Sequence, residues 1–105
     1  MCDFRVWFQS DEDVYVLQCT ECNIFQVRLR KAAFMFHVFE YKIFREVVAD
    51  IHHDTAYNEQ GQRCIPTFNG SMQVLLDKDE ITALYHLLDA ADTEMKIAQL
   101  ADMFS

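Results

Sequence analysis

The chain has 105 residues, enough for one domain with its own hydrophobic core. Apolar residues make up 51% of it, with two Gly and one Pro, which favours a packed domain with short connections over disorder. Seventeen acidic and nine basic residues give a formal net charge of −8, and such a surface repels nucleic-acid phosphates and anionic membranes. We therefore expect neither a nucleic-acid partner nor a membrane partner.

The start of the chain, Met1–Arg5, lacks the basic and then apolar pattern of an export signal. No apolar run reaches the roughly 18 residues that span a bilayer. The sequence thus predicts a cytoplasmic protein, in which the four cysteines are thiols or metal ligands rather than disulfides.

Residues 3–51 read as a β-meander followed by a helix. Apolar and polar residues alternate with the period of two that is typical of strands. Four segments have this pattern: Asp3–Ser10, Val14–Cys19, Ile24–Leu29 and Phe34–Val38. The spacing then changes, because Phe44, Val47, Val48 and Ile51 form the apolar stripe of an amphipathic helix, which we expect to cover the sheet.

Residues 52–61 are polar and predict the longest loop. Residues 62–91 then predict a hairpin that turns at Phe68–Gly70 and a helix that begins with a capping box formed by Asp77 and Glu80. Residues 93–104 predict either the kinked continuation of that helix or a separate C-terminal helix. Residues 1–105 are thus a single α+β domain: a mostly antiparallel sheet of five to six strands in two ββα-like halves, with two to three helices.

The Cys19-x-x-Cys22 pair lies at the predicted tip of the second hairpin. A tight turn that points two sulfurs the same way is half of a tetrahedral zinc site. No second Cys-x-x-Cys is present, so the other ligands would come from Cys2, His37, His52, His53 or Cys64, of which the last three are favoured, or from a second subunit. The alternative is that the cysteines are small buried side chains without a metal. Beyond this possible zinc ion, we expect no cofactor.

Enzymatic use of these thiols is disfavoured. Redox catalysis commonly relies on a helix N-terminus directly after the first cysteine, whereas Ile24–Leu29 predicts a strand and the charge of Glu21 opposes a thiolate. A Cys/His hydrolase is disfavoured because no short-range pattern places Cys64 beside His52 or His53. We therefore predict a non-enzymatic protein.

The predicted meander has apolar residues on both faces. One face carries Trp7, Tyr15, Leu17, Met35 and His37, and the other carries Phe8, Val14, Phe36 and Val38. Either a helix or another subunit should cover the second face. The candidates are the C-terminal helix, Met95–Phe104, and a homodimer joined through the sheet. The leading functional hypothesis is an interaction or regulatory domain whose partner is a protein or a second copy of the chain; the alternative is a small zinc-binding domain.

Several segments, in this order, carry a resemblance to a known family: C-T-E-C-N-I-F-Q-V-R-L, F-M-F, a helix containing Phe44, R-C-I-P-T, and M-Q-V-L-L-D-K-D-E-I-T-A-L-Y-H-L-L. Residues 14–91 resemble an uncharacterised family of small proteins, a domain of unknown function found mainly in the Bacteroidota. Members usually have Gly or Asn at the turn where Arg30-Lys31-Ala32-Ala33 stand here. The resemblance implies the order of elements and the importance of Cys19 and Cys22, and it implies no activity.

Overall fold

The computed structural model describes residues 3–53, 61–65 and 74–104. In chain order the elements are β1 (Phe4–Asp11), β2 (Val14–Cys19), β3 (Ile24–Leu29), β4 (Ala32–His37), α1 (Val38–His53), β5 (Gln62–Ile65), β6 (Val74–Asp77) and α2 (Lys78–Phe104). The predicted turn at Phe68–Gly70 and most of the predicted loop lie outside the described residues.

The six described strands are all antiparallel, and they divide between two sheets. β1, β2, β3 and β4 form one sheet in chain order, and β5 pairs with β6 in the other. The α+β class, the meander and the strand total are therefore as predicted, but a single sheet of five to six strands is not what forms. The described residues contain two helices.

The core lies between the inner face of the four-stranded sheet and the two helices, with Phe44 of α1 and Leu84 and Leu88 of α2 fully buried. Directly paired residues supply that face: Val16 pairs with Val27, and Val27 with Phe34. Phe44 of α1 fits against this layer, with its ring centroid 5.0 Å from that of Phe34 and 4.5 Å from that of Phe36. Aromatic rings at these separations add about 0.5–1.5 kcal/mol each to the gain from burial, so Phe44 anchors α1 to the sheet.

Each helix begins directly after a strand, at a residue whose backbone is capped by a glutamate. At α1, the N–H of His37 donates to Oε1 of Glu40 over 2.9 Å. At α2 the cap is reciprocal: the Glu80 N–H donates to Asp77 Oδ1 over 2.8 Å, and the Asp77 N–H donates to Glu80 Oε1 over 3.1 Å. The predicted capping box is confirmed, and it fixes where β6 ends and α2 begins.

α2 is one continuous helix of 27 residues, about 40 Å long at 1.5 Å per residue. The sequence left a break at Asp92-Thr93 open because both residues are good N-caps. Neither caps here: the Thr93 hydroxyl donates to the Asp89 carbonyl over 3.0 Å, and the Asp92 side chain binds Arg45 of α1. In the described part of the chain, neither helix combines the length and the apolar character that a membrane crossing requires.

The first helix is longer than its apolar stripe predicted. His52 and His53 form its last turn, whereas the sequence placed both in the loop. Basic side chains are favoured at a helix C-terminus, where the free carbonyls concentrate negative charge.

Candidate interaction surface

The turn between β2 and β3 carries the cysteine pair, as predicted. Asn23 has a left-handed φ of 55°, and its N–H donates to the Cys19 carbonyl over 2.9 Å. The backbone N–H and the hydroxyl of Thr20 both donate to the Asp3 carbonyl, over 3.0 and 3.2 Å, which ties the turn to the start of β1. Cys19 is buried and Cys22 is exposed, so the two sulfurs have different surroundings.

The other predicted metal ligands lie on other elements. His52 is in the last turn of α1, where its ring stacks on Tyr85 of α2 at 4.3 Å, and Cys64 is exposed on β5. Among residues 3–53, 61–65 and 74–104, no three His, Cys, Asp or Glu side chains form a group that could hold a metal ion. The described structure thus does not bring Cys64, His52 or His53 to the cysteine turn, and zinc binding stays a prediction.

The outer face of the four-stranded sheet, the side away from α1, is partly apolar. Tyr15, Leu17 and Met35 lie on it as predicted, and Met35 is 68% exposed. Trp7 does not lie there. The register shifts between Val6 and Phe8, and this bulge turns Trp7 to the helix side, where its Nε1 donates to Gln18 Oε1 over 3.0 Å. The prediction for Trp7 was wrong because strict alternation cannot show a bulge.

The C-terminal half of α2 packs on the inner side of the sheet, beside α1. Met95 and Ala98 of α2 line one groove together with Trp7 of β1 and Tyr41 of α1. The C-terminal helix is therefore not a cover for the outer face, where Met35 remains exposed.

A row of exposed apolar side chains lies on the far side of α2. Ile97, Leu100 and Phe104 are spaced by three and four residues, so they share one side of the helix. Leu100 is 53% exposed and Phe104 is 86% exposed. We call this row the α2 stripe: Ile97, Leu100, Ala101 and Phe104.

The last turns of α2 extend beyond the packed part of the domain. The helix buries Leu84, Leu88 and Ala91, and the same side continues through Met95 and Ala98, which are half-buried and line the groove toward the domain. Every residue from Gln99 to Phe104 is exposed. The α2 stripe lies on the side opposite the buried row and faces solvent. An exposed apolar row of this kind is typical of a surface that binds a partner.

An ion pair adds to this packing. Arg45 of α1 donates to Asp92 of α2, and the Nζ of Lys96 is 3.1 Å from the other Asp92 oxygen. Only the first contact joins the two helices, because Asp92 and Lys96 both belong to α2. It supports the rotation of α2 that the burial of Leu84, Leu88 and Ala91 already favours and that leaves Ile97 and Leu100 on the outside.

Sequence reasoning missed Tyr41. Its side chain is only 2% exposed, its ring stacks on Phe25 at 4.2 Å, and burial raises the pKa of its hydroxyl well above the usual range. The nearby charge of Arg45 lowers that pKa, and Asp92 raises it further. The signal was in the sequence: Tyr41, Phe44, Val48 and Ile51 have helical spacing, but a stripe begun at Phe44 omits the tyrosine.

A family model described as a family of unknown function, DUF6686, matches residues 1–104. Comparison with curated proteins gave no significant match. Comparison with solved structures gave none either.

Proposed function

The chain belongs to the DUF6686 family, whose function is unknown, and from its geometry we propose that it is a non-enzymatic interaction domain that self-associates through the α2 stripe. The observation that carries the proposal is the exposed apolar row on the end of α2 that projects from the domain. Leu100 and Phe104 are exposed, and the side of α2 that packs against the domain, through Ala91 and Met95, is the opposite one. Full burial of a large apolar side chain stabilises a protein by about 1.5–3 kcal/mol. A partner that covers Leu100 and Phe104 gains this free energy on binding.

A second copy of the chain is the occupant we favour. Two α2 stripes related by a twofold axis present the same apolar row to each other, which gives a closed dimer without further complementarity. Its central positions, Ile97, Leu100 and Ala101, are uncharged, so no buried charge opposes the contact. The stripe covers only two helical turns. The area that it can bury is therefore smaller than the roughly 800 Å² per partner of a standard interface. We therefore expect weak, concentration-dependent association.

Sedimentation equilibrium over a range of protein concentrations tests the proposal. The wild type should shift from monomer to dimer, and Leu100→Lys should remain monomeric because the charge would be buried in the contact. Leu75→Lys is the matched control, since Leu75 is also a half-exposed leucine, at 51%, and lies on β6 away from the stripe. A wild type that stays monomeric throughout would contradict self-association.

A third variant tests the other surface. The sequence favoured a homodimer through the sheet if α2 did not cover the outer face, and Met35 is the most exposed apolar residue of that face. If Met35→Lys abolishes the dimer and Leu100→Lys does not, the contact is through the sheet and the assignment to α2 is wrong.

Zinc binding through Cys19 and Cys22 is the second candidate function. The observation that favours it is the turn itself, which is closed by the Asn23 to Cys19 hydrogen bond and tied to β1 through Thr20. Further ligands would come from a second subunit. Metal analysis of protein purified without a polyhistidine tag tests it: one zinc per chain or per dimer, lost in Cys22→Ser, supports the site, and zinc well below one per dimer contradicts it.

The same proposal includes a cytoplasmic location and a protein partner rather than nucleic acid or membrane. Its support is the formal charge of −8, which opposes binding to anionic polymers and surfaces. We propose that the chain is not an enzyme because the turn that carries Cys19 and Cys22 joins two strands. No helix dipole is therefore available there to stabilise a thiolate.

A further inference from the structure

A groove runs between the start of β1, the first half of α1 and the last turns of α2. Its volume is about 470 Å³, within the range of about 300–1,000 Å³ that is typical of small-molecule sites. Trp7, Phe25, Tyr41 and Met95 supply its apolar wall. We call it the Tyr41 groove.

The groove concentrates positive charge in an acidic protein. It contains four of the nine basic residues of the chain and two acidic ones. The basic residues are Arg5, Lys42, Arg45 and Lys96, and the acidic ones are Asp92 and Asp102. The Asp92 carboxylate forms ion pairs with Arg45 and Lys96. Arg5 lies over the Trp7 ring at 4.1 Å, which leaves its guanidinium edge available to an anion, and Lys42 forms no ion pair within the described residues.

The floor of the groove holds an unsatisfied hydrogen-bond donor. The Tyr41 hydroxyl is buried and has no hydrogen-bond partner among the described residues. Its nearest charges, Arg45 and Asp92, both belong to the groove wall. A buried hydroxyl without a partner costs about 1–3 kcal/mol, so it is retained most readily where a ligand or a water completes it.

We infer that the Tyr41 groove binds a small organic acid, with the carboxylate between Lys42 and the Tyr41 hydroxyl and the apolar body against Trp7 and Met95. The phenol donates to one carboxylate oxygen, and the lysine ammonium neutralises the charge. The Tyr41 hydroxyl is buried, so the inference includes a local rearrangement of the side chains of the groove that opens this hydroxyl to the carboxylate.

This site is independent of the proposed self-association. The Tyr41 groove lies on the Met95 and Ala98 side of α2, and the α2 stripe lies on the opposite side. A chain that is monomeric could still bind the acid, and a dimer could fail to bind it. The two experiments can therefore fail separately.

The probe is phenylbutyrate, and its uncharged analogue phenylbutyramide is the matched control. Trp7 is the only tryptophan in the chain and lines the groove, so its fluorescence reports occupancy. We expect a saturable change with the acid and at least tenfold weaker binding of the amide, because the amide lacks the charge that Lys42 and Arg5 recognise.

Variants locate the site. Tyr41→Phe should weaken phenylbutyrate binding about tenfold, the usual effect of losing one hydrogen bond to a charged group, and Lys42→Gln should weaken it several-fold. The controls are Tyr15→Phe on the outer face and Lys31→Gln in the β3–β4 turn, which should bind like the wild type. If Tyr41→Phe does not fold, the Lys42→Gln and Lys31→Gln pair and the amide comparison decide the question.

The results separate cleanly. Saturable binding of the acid that is lost in the groove variants and kept in the controls supports the inference. It is overturned if the wild type shows no saturable change, if acid and amide bind equally, or if both groove variants bind like the wild type. In each of these cases the groove is not an acid-binding site.

Discussion

Arg45 and Asp92 form an ion pair that joins α1 to α2. The guanidinium of Arg45 donates to Oδ1 of Asp92, and Lys96, one turn further along α2, contacts the other oxygen. The two carboxylate oxygens therefore have separate partners, one on each helix. The ion pair borders the side of α2 that buries Leu88 and Ala91, and Leu100 faces solvent on the other side.

Replacing Asp92 should loosen this contact. Asp92→Asn keeps the shape and removes the charge, and we expect it to lower the free energy of unfolding by about 1–2 kcal/mol, since the Asp92 side chain is only 18% exposed. Lys96→Gln is the control and should cost no more than about 0.5 kcal/mol because the Lys96 side chain is largely exposed. Urea denaturation measures both. Equal effects of the two variants would contradict a dominant Arg45–Asp92 pair.

Tyr41 should make the fold sensitive to base. Burial raises the pKa of its hydroxyl in the folded state, whereas in the unfolded chain it ionises near pH 10. Above about pH 10 the unfolded chain releases this proton and the folded chain retains it, so stability falls as pH rises, by about 1.4 kcal/mol per pH unit. Below pH 10 this contribution does not change with pH.

Tyr41→Phe tests that linkage. Denaturant midpoints measured between pH 9 and 11, a range placed around the unfolded-state pKa of about 10, should decline less steeply in the variant than in the wild type. Equally steep declines of the midpoint in both proteins would show that the buried Tyr41 phenol is not the source of the pH dependence. At neutral pH the variant should be as stable as the wild type or more stable, because it removes a hydroxyl without a partner.

The turn between β3 and β4 contains a strained residue. Arg30 has a φ of 57°, and its N–H donates to the Asp13 carbonyl over 2.6 Å. Glycine adopts positive φ without steric cost, so Arg30→Gly should raise the free energy of unfolding by up to about 1 kcal/mol. Lys31→Gly, at the next position of the same turn, should lower it. Thermal denaturation compares the two, and stabilisation by both variants would mean that the strain is not at Arg30.

Of the aspartates at the start of α2, Asp77 should contribute most to the free energy of unfolding, because it forms the capping box. Asp77→Ala removes the acceptor for the Glu80 N–H and should cost about 1 kcal/mol. Asp79→Ala, two residues later in the first turn of α2, should cost less, since it loses only an interaction with the helix dipole of about 0.3–1 kcal/mol. Equal losses would show that the charge, and not the cap, accounts for the effect.

Much of the fold was predictable because local patterns determine it. The alternation around Val16, Val27 and Phe34 predicts the meander and its inner face, and Asp77 with Glu80 predicts the start of α2. The bulge at Trp7 was not predictable, since alternation carries no information on where a strand gains a residue.

The candidate site was only half predictable. The spacing of Ile97, Leu100 and Phe104 predicts an apolar helix side, but not whether that side faces the domain or a partner. That choice depends on contacts between residues far apart in the chain: the burial of Leu88 and Ala91 in the shared core, and the pairing of Asp92 with Arg45. The proposed zinc ligands have the same limitation, because ligand residues at unrelated sequence positions meet only if the tertiary fold brings them together.

Amide hydrogen exchange of residues 97–104, measured at a low and a high protein concentration, tests the self-association most directly. A helix end whose apolar side is in water frays, and burial of the α2 stripe in a dimer suppresses that fraying. We predict that exchange in residues 97–104 slows several-fold at the higher concentration, while exchange near Asp77 in the first turn of α2 does not change. Identical exchange at both concentrations would contradict the proposed dimer contact at the α2 stripe.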